Sequence, residues 1–254
     1  MKIFCFSGSG NSYSVAAEIG KHFSIKPELI TSFKDKNKVE VTDLQIGIVA
    51  PVYLNDIPKV VKEFILKLSF ADMKAYVFTV LTSSSGKNKS GFKNISIALS
   101  KHTVKLALAY DLSMPSSFKV RTGMDSVLGA IPQKIKGIIN AIENKRVNYA
   151  PKGSVVLSKN FTKLPFLTKP LARMNVTEKC NGCGLCCKLC PTSNIELQNG
   201  KAMRNKNCIA CTACANWCPQ QAIKSRWLKG QYRHPEVSAN DLIASNKIQS
   251  EVKK

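Results

Sequence analysis

Residues 180–191 read CNGCGLCCKLCP, and residues 208–219 read CIACTACANWCP. Both segments carry cysteine at their first, fourth, seventh and eleventh positions and end on Cys-Pro. The offset in the chain that separates Cys180 from Cys208 also separates Cys190 from Cys218, and Ile195 from Ile223. Because this is an internal duplication, we expect the two segments to fold as pseudo-symmetric halves of one small unit.

The cysteine spacing is that of iron–sulfur ligands. Three thiolates separated by two residues can wrap the backbone around three corners of a four-iron cubane, while the fourth begins the next segment and points away. Pro191 and Pro219 stop local helix and turn the chain away. A pair of zinc sites is the alternative, but zinc needs neither the third cysteine nor the Cys-Pro. The duplication therefore predicts two [4Fe-4S] clusters.

From Cys190-Pro191 to Ile223 the sequence resembles bacterial-type two-cluster ferredoxins. The resemblance implies that the fourth cysteine of each segment ligates the cluster of the other segment. One cluster is then expected on Cys180, Cys183, Cys186 and Cys218. The other is expected on Cys208, Cys211, Cys214 and Cys190. Cys187 lies outside the pattern, and we interpret it as a packed thiol.

The distribution of the remaining cysteine also favours metal over disulfides. Nine of the ten cysteines lie between Cys180 and Cys218, and the tenth, Cys5, falls in an apolar strand as a buried hydrophobe. The N-terminal strand runs straight into a Gly/Ser turn, unlike a secretory signal with an apolar core. We therefore expect a cytoplasmic protein, where thiols stay reduced and clustered cysteines bind metal.

Residues 1–145 alternate β and α patterns. Predicted strands cover 2–6, 44–52, 75–81 and 104–112, with a weak edge strand at 28–32. Predicted helices cover 11–23, 57–68, 92–101 and 127–143. Near-continuous apolar strands separated by helices indicate a parallel sheet buried on both faces. The fold class expected is α/β, a doubly wound parallel sheet followed by a small α+β cluster domain.

A glycine-rich turn joins the first predicted strand to the first predicted helix. Its residues are Ser7, Gly8, Ser9, Gly10, Asn11 and Ser12. Such a turn presents backbone amides and the positive helix end to a phosphate. Two more loops follow neighbouring central strands, where doubly wound sheets bind ligands. They are Pro51, Val52, Tyr53 and Leu54, and then Thr82, Ser83, Ser84, Ser85 and Gly86.

These loops together resemble those of a flavodoxin domain, whose phosphate loop is matched by Ser7–Ser12. The resemblance implies FMN, with its phosphate on that loop and its ring system between the other two. Tyr53 is the expected stacking ring, and a half-buried loop aromatic is the alternative role. Residues 114–118, Met-Pro-Ser-Ser-Phe, resemble a stretch of flavodoxin–ferredoxin fusions, with Ser117 in place of asparagine. Both tryptophans, Trp217 and Trp227, lie in the C-terminal part.

The expected organisation is a flavodoxin-like domain at 1–146, a connector at 147–173, a two-cluster domain at 174–225 and a basic tail at 226–254. Within the tail, Ser238 to Asp241 predicts a short capped helix. The net charge is +22, with +10 from residues 1–150 and +12 from the rest. This excess predicts redox partner proteins with acidic surfaces. Dispersed lysines without interleaved aromatic residues do not predict a nucleic-acid groove, and no apolar stretch predicts membrane insertion.

The combination predicts an intramolecular electron relay between FMN and two [4Fe-4S] clusters, acting as a carrier between redox partners. The alternative is a flavin-dependent oxidoreductase that reduces a small substrate with electrons from the clusters. The three histidines, His22, His102 and His234, are scattered along the chain and form no acid–base constellation. The carrier is therefore preferred over the enzyme.

Overall fold

The computed structural model describes residues 1–86, 88–150 and 173–243, and it divides into two units. The first unit holds Met1–Ser7, Asn11–Pro115 and, from Gly123, the described residues up to 150. The second holds Gly8–Gly10, Ser116–Thr122 and the described residues from 173 onward. Two loops of the N-terminal half therefore group with the cysteine region.

A parallel sheet organises the first unit. Its strands, in chain order, are β1 (Lys2–Cys5), β2 (Glu28–Leu29), β3 (Val39–Val41), β4 (Gln45–Pro51), β5 (Leu68–Phe70), β6 (Tyr76–Ser83) and β7 (Leu106–Ser113). Five of them form one sheet in the order β2-β1-β4-β6-β7, while β3 and β5 pair separately. Every pairing in the five-stranded sheet is parallel. Counted within the sheet, the order is 2-1-3-4-5, which is the flavodoxin-like doubly wound order. The predicted fold class is confirmed.

Helices cover this sheet because its central strands are apolar on both faces. They are α1 (Asn11–His22), α2 (Lys59–Lys67), α3 (Lys89–Ser100), α4 (Met124–Gly129) and α5 (Ile131–Glu143). Helix α1 packs beside α5, and α2 packs beside α3. Right-handed crossovers place the two pairs on opposite faces, since the chain moves outward in opposite directions from β1. No helix within the described ranges is long and apolar enough to span a bilayer.

The second unit is a small α+β structure that repeats itself. Its elements are β8 (Asn175–Val176), α6 (Leu185–Leu189), β9 (Ile195–Gln198), β10 (Lys201–Arg204), α7 (Ala213–Asn216) and β11 (Ile223–Lys224). Strands β9 and β10 form one antiparallel pair, and β8 and β11 form another. The offset between the two cysteine segments also separates the start of α6 from that of α7, and the start of β9 from that of β11. The duplication seen in the sequence is therefore a duplication of structure.

Several elements differ from those predicted. The last predicted helix is divided at Ala130 because Pro132 can occupy only the first turn of a helix, so α5 starts there. Strands β3 and β5 were not predicted, since they are only three residues long. The sequence also predicts a short strand at 154–157, within the connector, and these residues lie outside the described ranges.

The segment predicted as a basic tail packs into the second unit as far as residue 243. Its buried side chains are Tyr232, His234, Val237, Leu242 and Ile243. Their irregular spacing follows neither a helical nor a strand period, which is why the sequence pattern did not reveal them. Where the capped helix was predicted, the Ser238 N–H donates to Asp241 Oδ2 over 2.8 Å and the Asp241 N–H donates to Ser238 Oγ over 3.4 Å. The element that follows is a 3₁₀ turn at Asn240–Leu242 and not an α-helix.

Candidate functional site

The first cysteine segment shares a cavity with the last cysteine of the second. Cys180, Cys183, Cys186 and Cys218 all line this cavity, which is open to solvent. Cys183 is exposed, and the other three are half-buried. The structure therefore brings together the four cysteines expected to share one cluster.

The remaining four cysteines of the pattern form a second, more deeply buried set. The charges of Cys190 and Cys208 act on both Cys211 and Cys214, so these four thiols lie close together. Cys190, Cys211 and Cys214 are buried, and Cys208 is half-buried. Cys186 of the first set also interacts with Cys214, which makes the two sets neighbours.

Burial governs the protonation of these thiols. Loss of solvent raises the pKa of Cys186 and of Cys211 to about 12. It also raises the pKa of Cys214, against which the nearby Arg204 guanidinium acts in the opposite direction. Iron binds thiolate rather than thiol, so loading iron onto these cysteines must release protons.

Backbone amides point at the sulfur atoms in a repeated arrangement. The N–H of Asn194 donates to Cys190 Sγ over 3.2 Å, and the N–H of Ala222 donates to Cys218 Sγ over 3.3 Å. Both donors lie four residues after their acceptor, so the two bonds are equivalent in the duplication. Cys180 Sγ accepts from Ala202 over 3.5 Å, and Cys208 Sγ accepts from Ala210 over 3.4 Å. Such donors favour the negative charge of a ligating thiolate.

The backbone repeats the same left-handed turns in both halves. The matched pairs with positive φ are Gly182 and Ala210 (71° and 57°), Gly184 and Thr212 (74° and 61°), and Ser193 and Gln221 (48° and 49°). The first two pairs lie between cysteines, where left-handed residues turn the chain so that successive side chains reach one centre. At the first two pairs, only the first segment has glycine, yet both segments have the same left-handed conformation. The conformation therefore accompanies the cysteine pattern and does not require glycine.

Gly182 has a second reason to be glycine. A Cβ built on this residue would overlap the carbonyl oxygen of Gly200, in the turn between β9 and β10. The side chain of Ala210 is accommodated at the matching position, where φ is 57°. The two halves therefore share a backbone and differ in what surrounds it.

The donor atoms of both sets fit four-iron clusters. Each set has four thiols from a three-plus-one arrangement of segments, with amides directed at sulfur, as iron–sulfur ligation requires. In the described part of the chain, no three His, Cys, Asp or Glu side chains are gathered as they would be around a single metal ion. The first set instead stands around an open cavity.

A protein-family model described as a 4Fe-4S dicluster domain matches residues 130–234. The match spans less than half of the chain, and we refer to the part of it that holds both cysteine segments as the dicluster domain because of this similarity. The match covers both cysteine segments and continues through Arg233 and His234, beyond the boundary predicted at residue 225. The predicted iron–sulfur clusters are confirmed.

A curated protein is also similar to part of the chain. Pyruvate synthase subunit PorD of Thermotoga maritima is 44% identical over 52 residues, which are 19% of this chain and 52% of that protein. The chain thus spans about half the length of the curated relative that it matches. The similarity covers a stretch of about the size of the dicluster domain's cysteine region.

The predicted phosphate loop is divided between the two units. Ser7, Asn11 and Ser12 belong to the sheet unit, and Gly8–Gly10 belongs to the unit of the dicluster domain. Within the sheet unit, Asn11 Nδ2 donates to the Pro115 carbonyl over 2.8 Å, and the hydroxyls of Ser12 and Thr82 lie 2.8 Å apart. Ser12 is fully buried, so its hydroxyl links two of the three predicted flavin loops.

The other two predicted loops lie next to each other at the carboxyl ends of β4 and β6. The Val52 N–H donates to the Thr82 carbonyl over 2.9 Å. Half-buried Tyr53 begins a turn with Asp56, and Leu54 in this turn has φ 51° and a side chain that is 48% exposed. Ser83 Oγ accepts the Gly86 N–H over 3.0 Å, which closes the third loop around exposed Ser84 and Ser85.

Three solved structures show similarity to slightly more than half of the chain. A flavodoxin from Streptococcus pneumoniae TIGR4 is 12% identical, with 57% of this chain and 97% of that chain covered and a TM-score of 0.35. Trp repressor binding protein from Bacillus subtilis is 10% identical, with 59% and 100% covered and a TM-score of 0.32. Rubredoxin oxygen:oxidoreductase from Desulfovibrio gigas is 11% identical, with 56% and 36% covered and a TM-score of 0.28. The strand order by itself identifies the fold as flavodoxin-like.

Two residues at the glycine loop were missed by sequence reasoning. The indole N–H of Trp217 donates to the Gly8 carbonyl over 2.9 Å. The backbone N–H of His234 donates to the Ser9 carbonyl, also over 2.9 Å. Trp217 stands where the first segment has Leu189. This departure from the duplication is the sequence feature that could have indicated a special contact for Trp217.

The three histidines add nothing to the enzyme alternative. His22 contacts Glu143 at the surface over 2.7 Å, and His102 Nε2 lies 2.9 Å from the Ile65 carbonyl oxygen. His234 is buried, and its pKa is lowered by loss of solvent against the opposing charge of Glu236. Cys5 is fully buried and Cys187 packs against the dicluster core, in agreement with the roles expected for them.

Proposed function

We propose that this chain relays electrons between a partner protein, two [4Fe-4S] clusters and FMN. The proposed ligand sets are Cys180, Cys183, Cys186 and Cys218 for one cluster and Cys208, Cys211, Cys214 and Cys190 for the other. The dicluster domain supports electron transfer, and the flavodoxin-like strand order supports a flavin partner on the same chain. When bound, FMN exchanges electrons singly or in pairs, and each cluster carries one at a time.

The observation that carries this proposal is the meeting of the two cysteine sets. Each set takes three cysteines from one segment and one from the other, and Cys186 of the first set adjoins Cys214 of the second. Residues that ligate adjacent groups on one chain replace collision between separate carriers with a high effective concentration. Because each set combines cysteines from both segments, the ligands also fix the positions of the two clusters relative to each other.

The difference in exposure suggests an order for the relay. Cys183 leaves the first set open to solvent, whereas Cys211 and Cys214 bury the second. A partner protein would exchange electrons at the exposed set, and the buried set would serve as the inner station. Contacts with the partner are therefore expected around Cys183, with no change in the burial of the second set.

For FMN we propose the three loops predicted from the sequence. Ser7–Ser12 would hold the phosphate at the N-terminus of α1, whose first turn has no acidic residue. Pro51–Leu54 and Thr82–Gly86 would flank the ring system, with Tyr53 as the stacking side chain. The domain boundaries that go with this proposal are 1–146 and 174–225, with 226–243 added to the second by its packing.

Charge suggests what kind of partner would dock. Residues 173–243 hold ten Lys or Arg and four Asp or Glu, a net charge of +6. Two clusters on eight thiolates remove about four charges, so the domain remains weakly positive. Positive charge near an exposed redox centre steers acidic carriers and speeds their association at low salt.

The decisive experiment is anaerobic purification followed by counting of iron, acid-labile sulfide and flavin. The proposal expects eight irons and one FMN for each chain, with two interacting clusters in the EPR spectrum of the reduced protein. Stoichiometric zinc without labile sulfide would contradict the cluster assignment. Clusters without FMN, even after incubation with excess FMN, would contradict the relay.

The partner is tested by kinetics across a salt series. The second-order rate of reduction by an acidic ferredoxin should fall steeply as ionic strength rises, because charges beyond ~8 Å are screened at physiological salt. A rate that stays constant or increases with salt would show that the positive charge does not serve an acidic carrier.

A further inference from the structure

The tip of the glycine loop is built into the dicluster unit. Gly8, Ser9 and Gly10 are buried. The Gly8 carbonyl accepts a hydrogen bond from the Trp217 indole, and the Ser9 carbonyl accepts one from the His234 backbone N–H. Gly10 has φ 100°, and a Cβ built there would lie 2.9 Å from His234 Cβ and 3.1 Å from Val237 Cβ. Gly10 is therefore required by its packing against the C-terminal segment, in addition to any approach of a phosphate.

The segment that covers this tip is itself anchored on the cluster helix. We call residues 229–237 the strap. Gln231 Nε2 donates to the carbonyls of Ala215 and Cys218 over 2.6 and 3.0 Å. The N–H of Tyr232 donates to Asn216 Oδ1 over 3.1 Å. These acceptors belong to helix α7 and to the ligand that follows it, so the strap's position depends on the second cysteine segment.

Trp217 joins the same two parts directly. It immediately precedes Cys218, is 5% exposed, and donates its indole N–H to Gly8. The matching residue of the first segment, Leu189, is equally buried but has no side-chain donor. The tryptophan thus adds a hydrogen bond to a position that packing alone would fill with leucine.

These bonds determine which way the loop's amides face. In a planar trans peptide, the carbonyl of one residue and the N–H of the next point in opposite directions, and the described chain has no cis peptide. Holding the carbonyls of Gly8 and Ser9 toward Trp217 and His234 therefore turns the N–H groups of Ser9 and Gly10 away from the strap. An anion would be bound from that side.

We propose that Trp217 and the strap are positioning elements for the phosphate loop, so that affinity for FMN depends on assembly of the clusters. This inference rests on the proposed function, since it concerns the same FMN site. Ligation of iron by Cys214 and Cys218 fixes the residues between them, including Asn216 and Trp217. Loss of iron frees that segment, and with it the two bonds that orient the loop.

The test compares FMN with riboflavin, which lacks the phosphate, on the full-length, cluster-loaded protein. Trp217→Phe keeps an aromatic side chain but leaves the buried Gly8 carbonyl without its donor. It should weaken FMN binding about tenfold, within a range of about 5- to 100-fold, and leave riboflavin binding and iron content unchanged. Trp227→Phe is the matched control, because Trp227 is 44% exposed and stacks on Arg226, and it should change neither affinity.

Equal weakening of FMN and riboflavin by Trp217→Phe would overturn the inference, because it would show a general loss of structure. Unchanged FMN affinity in this variant would overturn it as well. Wild-type protein that binds no FMN at all would instead contradict the proposed function.

A second measurement uses the reciprocity of coupled binding. Removing iron with a chelator should release FMN from the wild-type protein, and saturating FMN should slow iron removal from it. Neither effect should be as large in Trp217→Phe. FMN that remains bound at its original affinity after complete removal of iron would contradict the coupling.

Discussion

Segment 180–191 leaves Cys183 exposed around an open cavity, whereas segment 208–219 buries Cys211 and Cys214. The two segments have the same cysteine spacing, the same left-handed turns and equivalent N–H···S bonds. What differs is the chain packed around them: the second segment lies against the glycine-loop tip and the strap. A duplicated motif thus repeats the backbone geometry around its cysteines, and its surroundings give each copy a different exposure.

The largest expected effect tests whether the two sets exchange their fourth cysteine. Cys190→Ser should remove the cluster of Cys208, Cys211 and Cys214, and iron content should fall by half. Cys218→Ser should remove the other cluster. The measurement is iron content with EPR of the reduced protein. Cys187→Ser is the control and should retain full iron. Loss in Cys190→Ser of the cluster held by the first segment would show that the exchange is wrong.

The next largest effect separates the segments by their surroundings. Gly182→Ala should destabilise the protein by about 2–4 kcal/mol, because it adds left-handed strain and a clash with the Gly200 carbonyl. The matched change, Ala210→Gly, should stay within about 1 kcal/mol of wild type, because relief of strain offsets greater freedom of the unfolded chain. Anaerobic chemical unfolding measures both. Similar losses in the two variants would mean that the Gly200 turn is not what restricts position 182.

A smaller effect concerns access to iron. The first set, open at Cys183, should lose its cluster to a water-soluble chelator several-fold faster than the second, buried at Cys211 and Cys214. Time-resolved EPR during chelation follows the two clusters separately. Simultaneous loss would indicate that the dicluster domain opens as one cooperative unit and that exposure does not distinguish the copies.

The smallest effect arises from His234, whose folded-state pKa is lowered by burial. The unfolded chain binds a proton at the ordinary pKa of about 6.5, so stability should decrease as pH falls from there toward the lowered folded value. Above that window the histidine is neutral in both states and contributes no pH dependence. In wild type, the free energy of unfolding should be lower at pH 6.0 than at pH 7.5. His234→Gln should reduce this difference, measured by thermal unfolding, by less than about 1 kcal/mol. An unchanged slope would assign the acid sensitivity to other groups.

Much of the sheet unit could be predicted because its signals are local. Strands β1, β4 and β6 are apolar runs of strand length, and α1 and α5 show helical spacing, so periodicity is enough to find them. The short strands β3 and β5 have no periodic signal, since three residues are too few to establish one. The break at Ala130 was missed because apolar residues continue at helical spacing across it.

The candidate site divides in the same way. The cysteine spacing alone predicts four-iron clusters, because the reach of one thiolate to the next depends on the two or three residues between them. That the fourth cysteines exchange was expected from a resemblance, and the shared cavity and the neighbouring thiols support it. The hydrogen bond of Trp217 was not predicted, since its partner, Gly8, lies 209 residues away.

The sequence by itself determined the fold class of the sheet unit, the two cluster motifs and the constant offset between them. Each of these depends on the spacing of residues within short segments. Only the tertiary structure decided that one cysteine set is more exposed than the other, and that Gly8–Gly10 groups with the dicluster domain. Burial and long-range hydrogen bonds arise when residues 8–10, 116–122 and 226–243 come together around the second segment. Segments so distant in the chain leave no shared period, and their meeting is a property of the folded molecule.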